Sequence, residues 1–588
     1  VMAGGMNGPE RLGEQVRERL IQIDESRRSM EDERDRTLQR QFGIIDAYSQ
    51  RLRVHGNNRL REFNLVVPWF VQNALVHFLS PHGLEQYSGA AWGTRDVCQG
   101  PFESALAFGH YDVARMILLK VFRHQNSDGS LPQWFMFDEY AAMYQHDSHG
   151  DIPVWPLMAV GEYLDATSDW SILDAKAGFW ETLDGSAGAF RRAGEPRFTP
   201  TVGDHLERTL SYIRAHRVPG TELFSYGEGD WDDTLQPAQE SMKKDMASTW
   251  TIALLYQAAH TLAGLLNEAD SRRFGALATA FANEAAIIRS NFTKDFIFDG
   301  VLAGYVSFPQ GKPTPMIHPS DQRTGIKYRL IPMTRSIIAG LLDESATRRH
   351  EVIIERHLHY PDGVRLMSSP ASFHDGVTTV FKRAEQAANV GREIGLMYTH
   401  AHIRYVEALA ALGRERLGDE LLRISPVGQF SRLAMSEPRQ RNCYFASSDA
   451  DFPDRYTAAR EWSRLRADAE NPVGVRGGWR VYSSGPGIYL RQMMQHLFGI
   501  QLHVDRVVFD PILEIDDDGT TVDVMLFGAM RHVRYHVTDD DSLVGVVADG
   551  RALSGRHEVL PYRRGGLSVS ARELADAQHI EVTVGGRR

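Results

Sequence analysis

Between Gly227 and Leu235 the chain reads GEGDWDDTL, with Glu228, Asp230, Asp232 and Asp233 set around Trp231 on a backbone loosened by two glycines. Carboxylates at this density can hold a hard cation through oxygen ligands. Alternatively, one protonated member can act as a general acid while a sugar ring stacks on the indole. A solvated acidic turn is the plain alternative, because Gly and Asp are ordinary turn residues. The stretch alone leaves all three open.

Three further loops carry groups of the same kind. WGTRDVCQGP supplies Arg95, Asp96 and Gln99 just before a helix that Pro101 can open. GREIGLMYTHAH supplies Arg392 and Glu393, with His400 about two turns further on. GGWRVYSSGPGIYL places Ser483, Ser484 and Gly485 before a helix beginning near Pro486, where free backbone N–H groups suit an anion. Each has a plainer reading: a surface ion pair, a structural histidine, an N-cap. Taken together, His400 with Ser484 and Gly485 would form a compact anion site in an otherwise acidic protein, one switchable positive charge beside a helix start.

The elements that must position these loops are mostly helices. Apolar residues recur at helical spacing along Ile252, Leu255, Ala259, Leu262 and Leu266, and HAHIRYVEALAALG stops at Gly413 as a helix should. Residues 57–500 read as such segments joined by long loops. Ahead of them, residues 1–56 are densely charged, and Leu12, Val16, Leu20 and Ile23 mark one stripe of a linker helix. After Ile500 the pattern changes to β-rich pieces such as LHVDRVVF, TTVDVMLF, RHVRYHV and HIEVTV, so residues 501–588 read as a β-sandwich.

The chain has 588 residues, 43% hydrophobic and 24% charged, an ordinary globular composition that excludes disordered and collagen-like classes. Its net charge of -11 opposes binding to nucleic acid or to anionic membranes. No apolar run is long enough for a membrane span; FNLVVPWFVQNALVHFL from Phe63 is broken by polar residues and reads as a buried helix. Only Cys98 and Cys443 are present, so a disulfide framework and thiolate metal sites are not indicated and a reducing, cytoplasmic compartment is expected. Neither a glycine-rich nucleotide loop nor a zinc or EF-hand signature occurs, and no cofactor or metal is expected. The opening VMAGGMNGPERLGEQ does not look like a natural start, and a fragment of a longer chain is expected.

The order of these motifs resembles the inverting glycoside phosphorylases of glycoside hydrolase family 94, and their relatives in families 149 and 161. GDWDD at Gly229 to Asp233 is similar to the family's GDWND, REIGLMYTH at Arg392 to His400 to its KENGGxxxH, and RDVCQ at Arg95 to Gln99 to its RDxxQ; SSGPG at Ser483 to Gly487 sits where the family has a TGT turn. The resemblance implies an (α/α)6 barrel with a C-terminal β-sandwich, in a homodimer. It also implies a preceding N-terminal β-sandwich, which is expected to fall outside this sequence, with the sequence expected to begin at the linker. It implies Asp233 as the catalytic acid. Trp231, Arg95, Asp96, Gln99, Arg392 and Glu393 would contact sugar, and His400, Ser484 and Gly485 would bind phosphate. Asp232 in place of Asn, Gly100 in place of a carboxylate, and Ser448 in place of Gln depart from cellobiose phosphorylase.

The chemistry expected on that resemblance needs a single carboxyl group. An inverting hydrolase uses one to protonate the leaving oxygen and another to activate water. Phosphate is already an anionic nucleophile, so a second carboxylate would only repel it. The expected reaction is reversible phosphorolysis of β-gluco-oligosaccharides, β-1,3 favoured, giving α-D-glucose 1-phosphate. Like-charge pressure from Glu228, Asp230 and Asp232 is expected to raise Asp233 and keep it protonated. The alternatives are an inverting β-glucan hydrolase drafting Glu393 or Asp96 as second carboxylate, and an inactive carbohydrate-binding protein.

Overall fold

The computed structural model describes residues 8–79, 91–140, 144–145, 147–182, 190–192, 199–386, 397–425, 445–466, 468–479, 484–540 and 543–585. After the long helix α1 (Gly8–Tyr48), twelve helices alternate between an outer and an inner layer. The outer layer is α2 (Phe63–Leu79), α4 (Tyr111–Phe122), α6 (Val202–Ala215), α8 (Ser271–Phe296), α10 (Glu344–His357) and α12 (Leu417–Arg423). The inner layer is α3 (Gly100–Ala107), α5 (Val154–Thr167), α7 (Thr249–Ala269), α9 (Leu330–Ile338), α11 (Thr399–Leu412) and α13 (Gly485–Gln492). Each inner helix packs on the next and α13 returns to α3, closing an (α/α)6 toroid.

Local sequence explains where these helices begin and end. Ser248 caps α7 by accepting from the Thr251 N–H, Thr201 and Asp204 form a capping box on α6, and Gly413, at φ +66°, ends α11 in the left-handed conformation. The stripe Ile252, Leu255, Ala259, Leu262 and Leu266 of α7 is fully buried. In α1 the packing falls on the last turns: Ile45 and Tyr48 are buried, and the Tyr48 hydroxyl lies 2.9 Å from Ser104 Oγ, whereas Leu38 and Phe42 are exposed. The side chains of its Leu12–Ile23 stripe lie outside the described residues.

All six inner helices contribute to a buried polar network at the centre of the ring. Arg404 binds Glu103 and Glu407, Arg491 binds Glu103 and Glu162, and Arg335 donates to Gln257 at 2.9 Å while facing the charge of Glu407. Buried charges need such partners, since an unpaired one would cost several kcal/mol.

The C-terminal region forms the expected sandwich. One sheet runs Ile500–Leu502, Arg506–Phe509, Arg564–Ser570, Arg556–Val559. The other runs Arg53–His55, Thr521–Leu526, Ala529–Val537, His579–Val584, Gly545–Ala548, Arg551–Ala552. Thr521–Leu526 buries Val522, Val524 and Leu526 in strict alternation, and Leu526 pairs with Ala529 across a two-residue turn whose Phe527 and Gly528 both have positive φ. The edge strand Arg53–His55 comes from the linker region. The sandwich is fastened beneath the C-terminal ends of the inner helices: the Val504 N–H donates to Ala166 O, Arg563 Nε to Ala410 O and the Tyr535 hydroxyl to Phe498 O. That leaves the N-terminal ends of the inner helices to carry the loops described next. No helix among the described residues is long and apolar enough to cross a membrane.

Candidate active site

The GDWDD loop is pinned by its backbone to two neighbours. Gly150 N–H donates to Gly229 O at 2.8 Å, and Tyr226 N–H donates to Met246 O at 2.7 Å. At Gly150 a Cβ would stand 2.6 Å from Tyr226 O, so only glycine lets the two chains approach this closely. The acids of the motif then separate by partner. Glu228 pairs with Lys243 at 2.5 Å. Asp230 is buried and gripped by both arms of Arg329 at 2.9 and 2.8 Å, with a further 2.7 Å bond from the Ser248 hydroxyl that also caps α7. Asp232, also buried, accepts from Thr234 Oγ1 at 2.8 Å.

Asp233 is different: its side chain is 39% exposed. Its Oδ1 accepts from Arg95 Nη2 at 2.9 Å, and His149 Nδ1 stands 3.4 Å away. Burial alone would raise this carboxyl, but the charges of Arg95, His149 and Arg383 outweigh it and hold Asp233 below the usual carboxylate range. The expected like-charge pressure therefore does not operate. Glu228, Asp230 and Asp232 are each spent on a partner, and the nearest charges to Asp233 are positive. Asp230, too, is held low, because Arg329 more than offsets its burial.

Arg95 also reaches Asp230 O at 3.1 Å and Asp151 Oδ2 at 3.4 Å. Asp151 lies one turn before Trp155, whose indole N–H donates to the same Oδ2 at 2.9 Å. Burial pushes Asp151 upward in spite of these donors.

A second cluster lies at the starts of α11 and α13. His400 Nε2 is 2.7 Å from Ser484 Oγ, and the Ser484 hydroxyl donates to Asp96 Oδ1 at 3.2 Å. An ionised carboxylate can only accept, so the serine proton points to Asp96 and the serine oxygen accepts from His400, which fixes the Nε2–H tautomer. Ser484 occupies the N-cap of α13 yet makes no cap bond with its side chain; the hydroxyl is turned to His400 instead. The backbones around Ser484 pack closely: a Cβ on Gly100 would stand 2.0 Å from Ser484 O, and one on Gly487 2.0 Å from Gly100 O. Trp231 joins the clusters. It is two residues from Asp233, and its ring lies 6.1 Å from His400 and 5.5 Å from Tyr398, which stacks on His400 at 5.1 Å.

Thus the structure brings together Arg95, Asp96, Trp231, Asp233, His400, Ser484 and the start of α13 at Gly485. Gln99 is placed otherwise. It is buried, its Oε1 accepts from Arg404 Nη2 at 3.2 Å, and its Nε2 donates to Arg95 O at 3.4 Å, so it braces Arg95 from below. Arg392, Glu393, Ser483 and the Ser448 side chain lie outside the described residues. Sequence reading missed His149, Asp151, Ser248, Arg329 and Arg383. Of these only HGD at His149 to Asp151 offers a local signal, a histidine and an aspartate about a glycine before an apolar helix.

No family model matches the chain. It is 44% identical over 523 residues to a 1,2-beta-oligoglucan phosphorylase of Listeria innocua, an alignment covering 88% of this chain and 46% of the relative. It is 23% identical over 482 residues to the cyclic beta-(1,2)-glucan synthase NdvB of Rhizobium meliloti, covering 80% of this chain and 16% of that protein. The chain thus spans less than half the length of each of these relatives. Among solved structures it is similar to the GH78 rhamnosidase of Bacillus sp. GL1, with 12% identity, a TM-score of 0.45, and coverage of 79% of this chain and 39% of that one.

Proposed function

We propose that this chain carries the catalytic toroid of an inverting phosphorylase of β-linked gluco-oligosaccharides, with inorganic phosphate as co-substrate and α-D-glucose 1-phosphate as product. The observation that carries the reading is the adjacent pair Arg95 and Asp96 joining two unlike clusters. Arg95 binds the partly exposed carboxyl of Asp233, and Asp96 binds Ser484, which stands with His400 at a helix start; an arriving anion would draw the His400 N–H from Ser484 and the Ser484 O–H from Asp96. Phosphate held there attacks the anomeric carbon, and the bond from that carbon to the leaving oxygen breaks as Asp233 gives the oxygen its proton. Arg95 and Asp96 line the sugar, and the face of Trp231 covers its apolar side.

Two observations count against the hydrolase. It needs a second available carboxylate on the water side, yet among the described residues Asp151, Asp230 and Asp232 are fully buried and Asp96 is engaged with Ser484; Glu393 lies outside them. For linkage we favour β-1,2 over the β-1,3 expected from sequence, because the names of both relatives carry the 1,2 linkage and neither carries 1,3. The reading is tested by incubating sophoro-oligosaccharides with the protein, with and without phosphate, and assaying glucose 1-phosphate. Formation only with phosphate supports it; free glucose formed equally without phosphate overturns it.

A further inference from the structure

We propose that Asp151 is a positioning residue that stores the proton Asp233 needs, with Arg95 deciding which of the two carboxyl groups carries it. This rests on the reading of Asp233 as the general acid and supplies what that reading lacks, since Arg95 holds Asp233 ionised in the free protein.

The geometry is a shared guanidinium. Arg95 Nη2 meets Asp233 at 2.9 Å and Nη1 meets Asp151 at 3.4 Å, so the shorter bond goes to Asp233. Asp151 is fully buried, and both its donors, Arg95 and the Trp155 indole, reach the same oxygen, Oδ2. Oδ1 is buried with no hydrogen-bond partner among the described residues. An ionised Asp151 would leave part of its charge on a buried oxygen with no hydrogen-bond partner among the described residues, which costs more than leaving a neutral carboxyl group unpaired there. The other titratable or charged groups facing the pair are His149 from the same loop, Asp230 with its counter-ion Arg329, Asp96 beside Arg95, and Arg383 near Asp233. Burial and Asp230 push the Asp151 carboxyl upward, in the direction the orphaned oxygen requires. With one proton for two carboxyl groups, the free protein places it on Asp151.

Substrate reverses the preference. A sugar and phosphate in the cleft strip water from the 39% exposed Asp233 and bring negative charge towards it, so its ionised form becomes costly. Arg95 needs only to tighten its contact with Asp151. The proton then leaves Asp151 Oδ1 and arrives on Asp233, and the total charge of the two carboxyl groups is unchanged. When Asp233 has given that proton to the leaving oxygen, both carboxyl groups are ionised until one is taken up again.

The test combines two readouts. The first is the infrared difference spectrum of the free protein at neutral pH, wild type minus Asp151→Asn. A band of a buried protonated carboxyl group, absent from the variant and retained in Asp233→Asn, is expected; its absence from wild type overturns the proposal. The second is the pH profile of kcat/KM. Activity falls as pH rises through the loss of the pair's proton, and in Asp151→Asn that limb should move to lower pH by about one unit or more, because Asp233 alone holds a proton poorly. Should Asp151→Asn not fold, Trp155→Phe removes a donor that favours ionised Asp151 and should move the limb to higher pH. An unmoved limb overturns the proposal. The infrared band is read without substrate, so a wild type that carries it yet turns over without phosphate defeats the phosphorylase reading and leaves proton storage standing.

Discussion

The Arg95 guanidinium lies on Asp233, Nη2 to Oδ1 at 2.9 Å, and makes the most exposed carboxylate of the GDWDD motif an ionised one in the free protein. A neutral isostere at Asp233 keeps an oxygen for Arg95 but has no acidic proton. Asp233→Asn should lower turnover about 10²- to 10⁴-fold, the range for a positioned general acid, while thermal unfolding shifts little. Initial rates in both directions and a melting curve check this.

Ser484 stands between His400 and Asp96. Removing its hydroxyl takes away a donor that Asp96 holds and that an arriving anion would draw, and leaves the Asp96 carboxylate less screened beside the site. In Ser484→Ala the KM for phosphate should rise about tenfold or more, on the scale of a hydrogen bond to a charged group, with a smaller change in the KM for oligosaccharide. Equal changes in the two would argue that the serine only supports the loop.

Gly100 and Gly487 let α3 and α13 touch backbone to backbone. Neither neighbour is a flexible side chain, so a methyl group must part the helices and with them Asp96 from Ser484. Gly100→Ala should destabilise the fold by about 1–3 kcal/mol, as overpacking does, and should raise the KM for phosphate as well. Denaturant midpoints and phosphate titrations measure both.

The polar network inside the toroid makes stability depend on pH at the acid end. Burial alone would raise Glu407, yet Arg404, Arg335 and Arg491 bring it from 4.5 to about 2. A depressed carboxyl contributes stability that is complete above its unfolded value and lost as pH falls through the folded one. Urea midpoints should therefore decline from about pH 4.5 towards pH 2, and the decline should be shallower in Glu407→Gln. Glu103→Gln, which leaves Arg404 and Arg491 short of a counter-charge, should cost about 3–5 kcal/mol at neutral pH.

What sequence could reveal here follows from the range of each interaction. The inner helices were visible because a stripe such as Ile252–Leu266 repeats locally, and Asp233, Arg95, His400 and Ser484 because each sits in a short contiguous motif. The electrostatics were not visible. In GEGDWDD the charged neighbours of Asp233 along the chain are all acidic, but in space its neighbours are Arg95 and His149, from 138 and 84 positions away, and the other acids are taken by Arg329 and Lys243. A one-dimensional reading therefore gave the wrong sign for its pKa. Asp151 was missed for the same reason: its partner Arg95 lies on another loop, and only closure of the ring brings the inner-helix starts together.

The most direct test is phosphate release from α-D-glucose 1-phosphate by the full chain, with glucose, cellobiose, laminaribiose, sophorose and N-acetylglucosamine offered as acceptors. Release with sophorose, and little with cellobiose or laminaribiose, is the expected result. Failure to release phosphate with any acceptor, together with phosphate-independent formation of glucose from β-glucans, would contradict the phosphorylase reading.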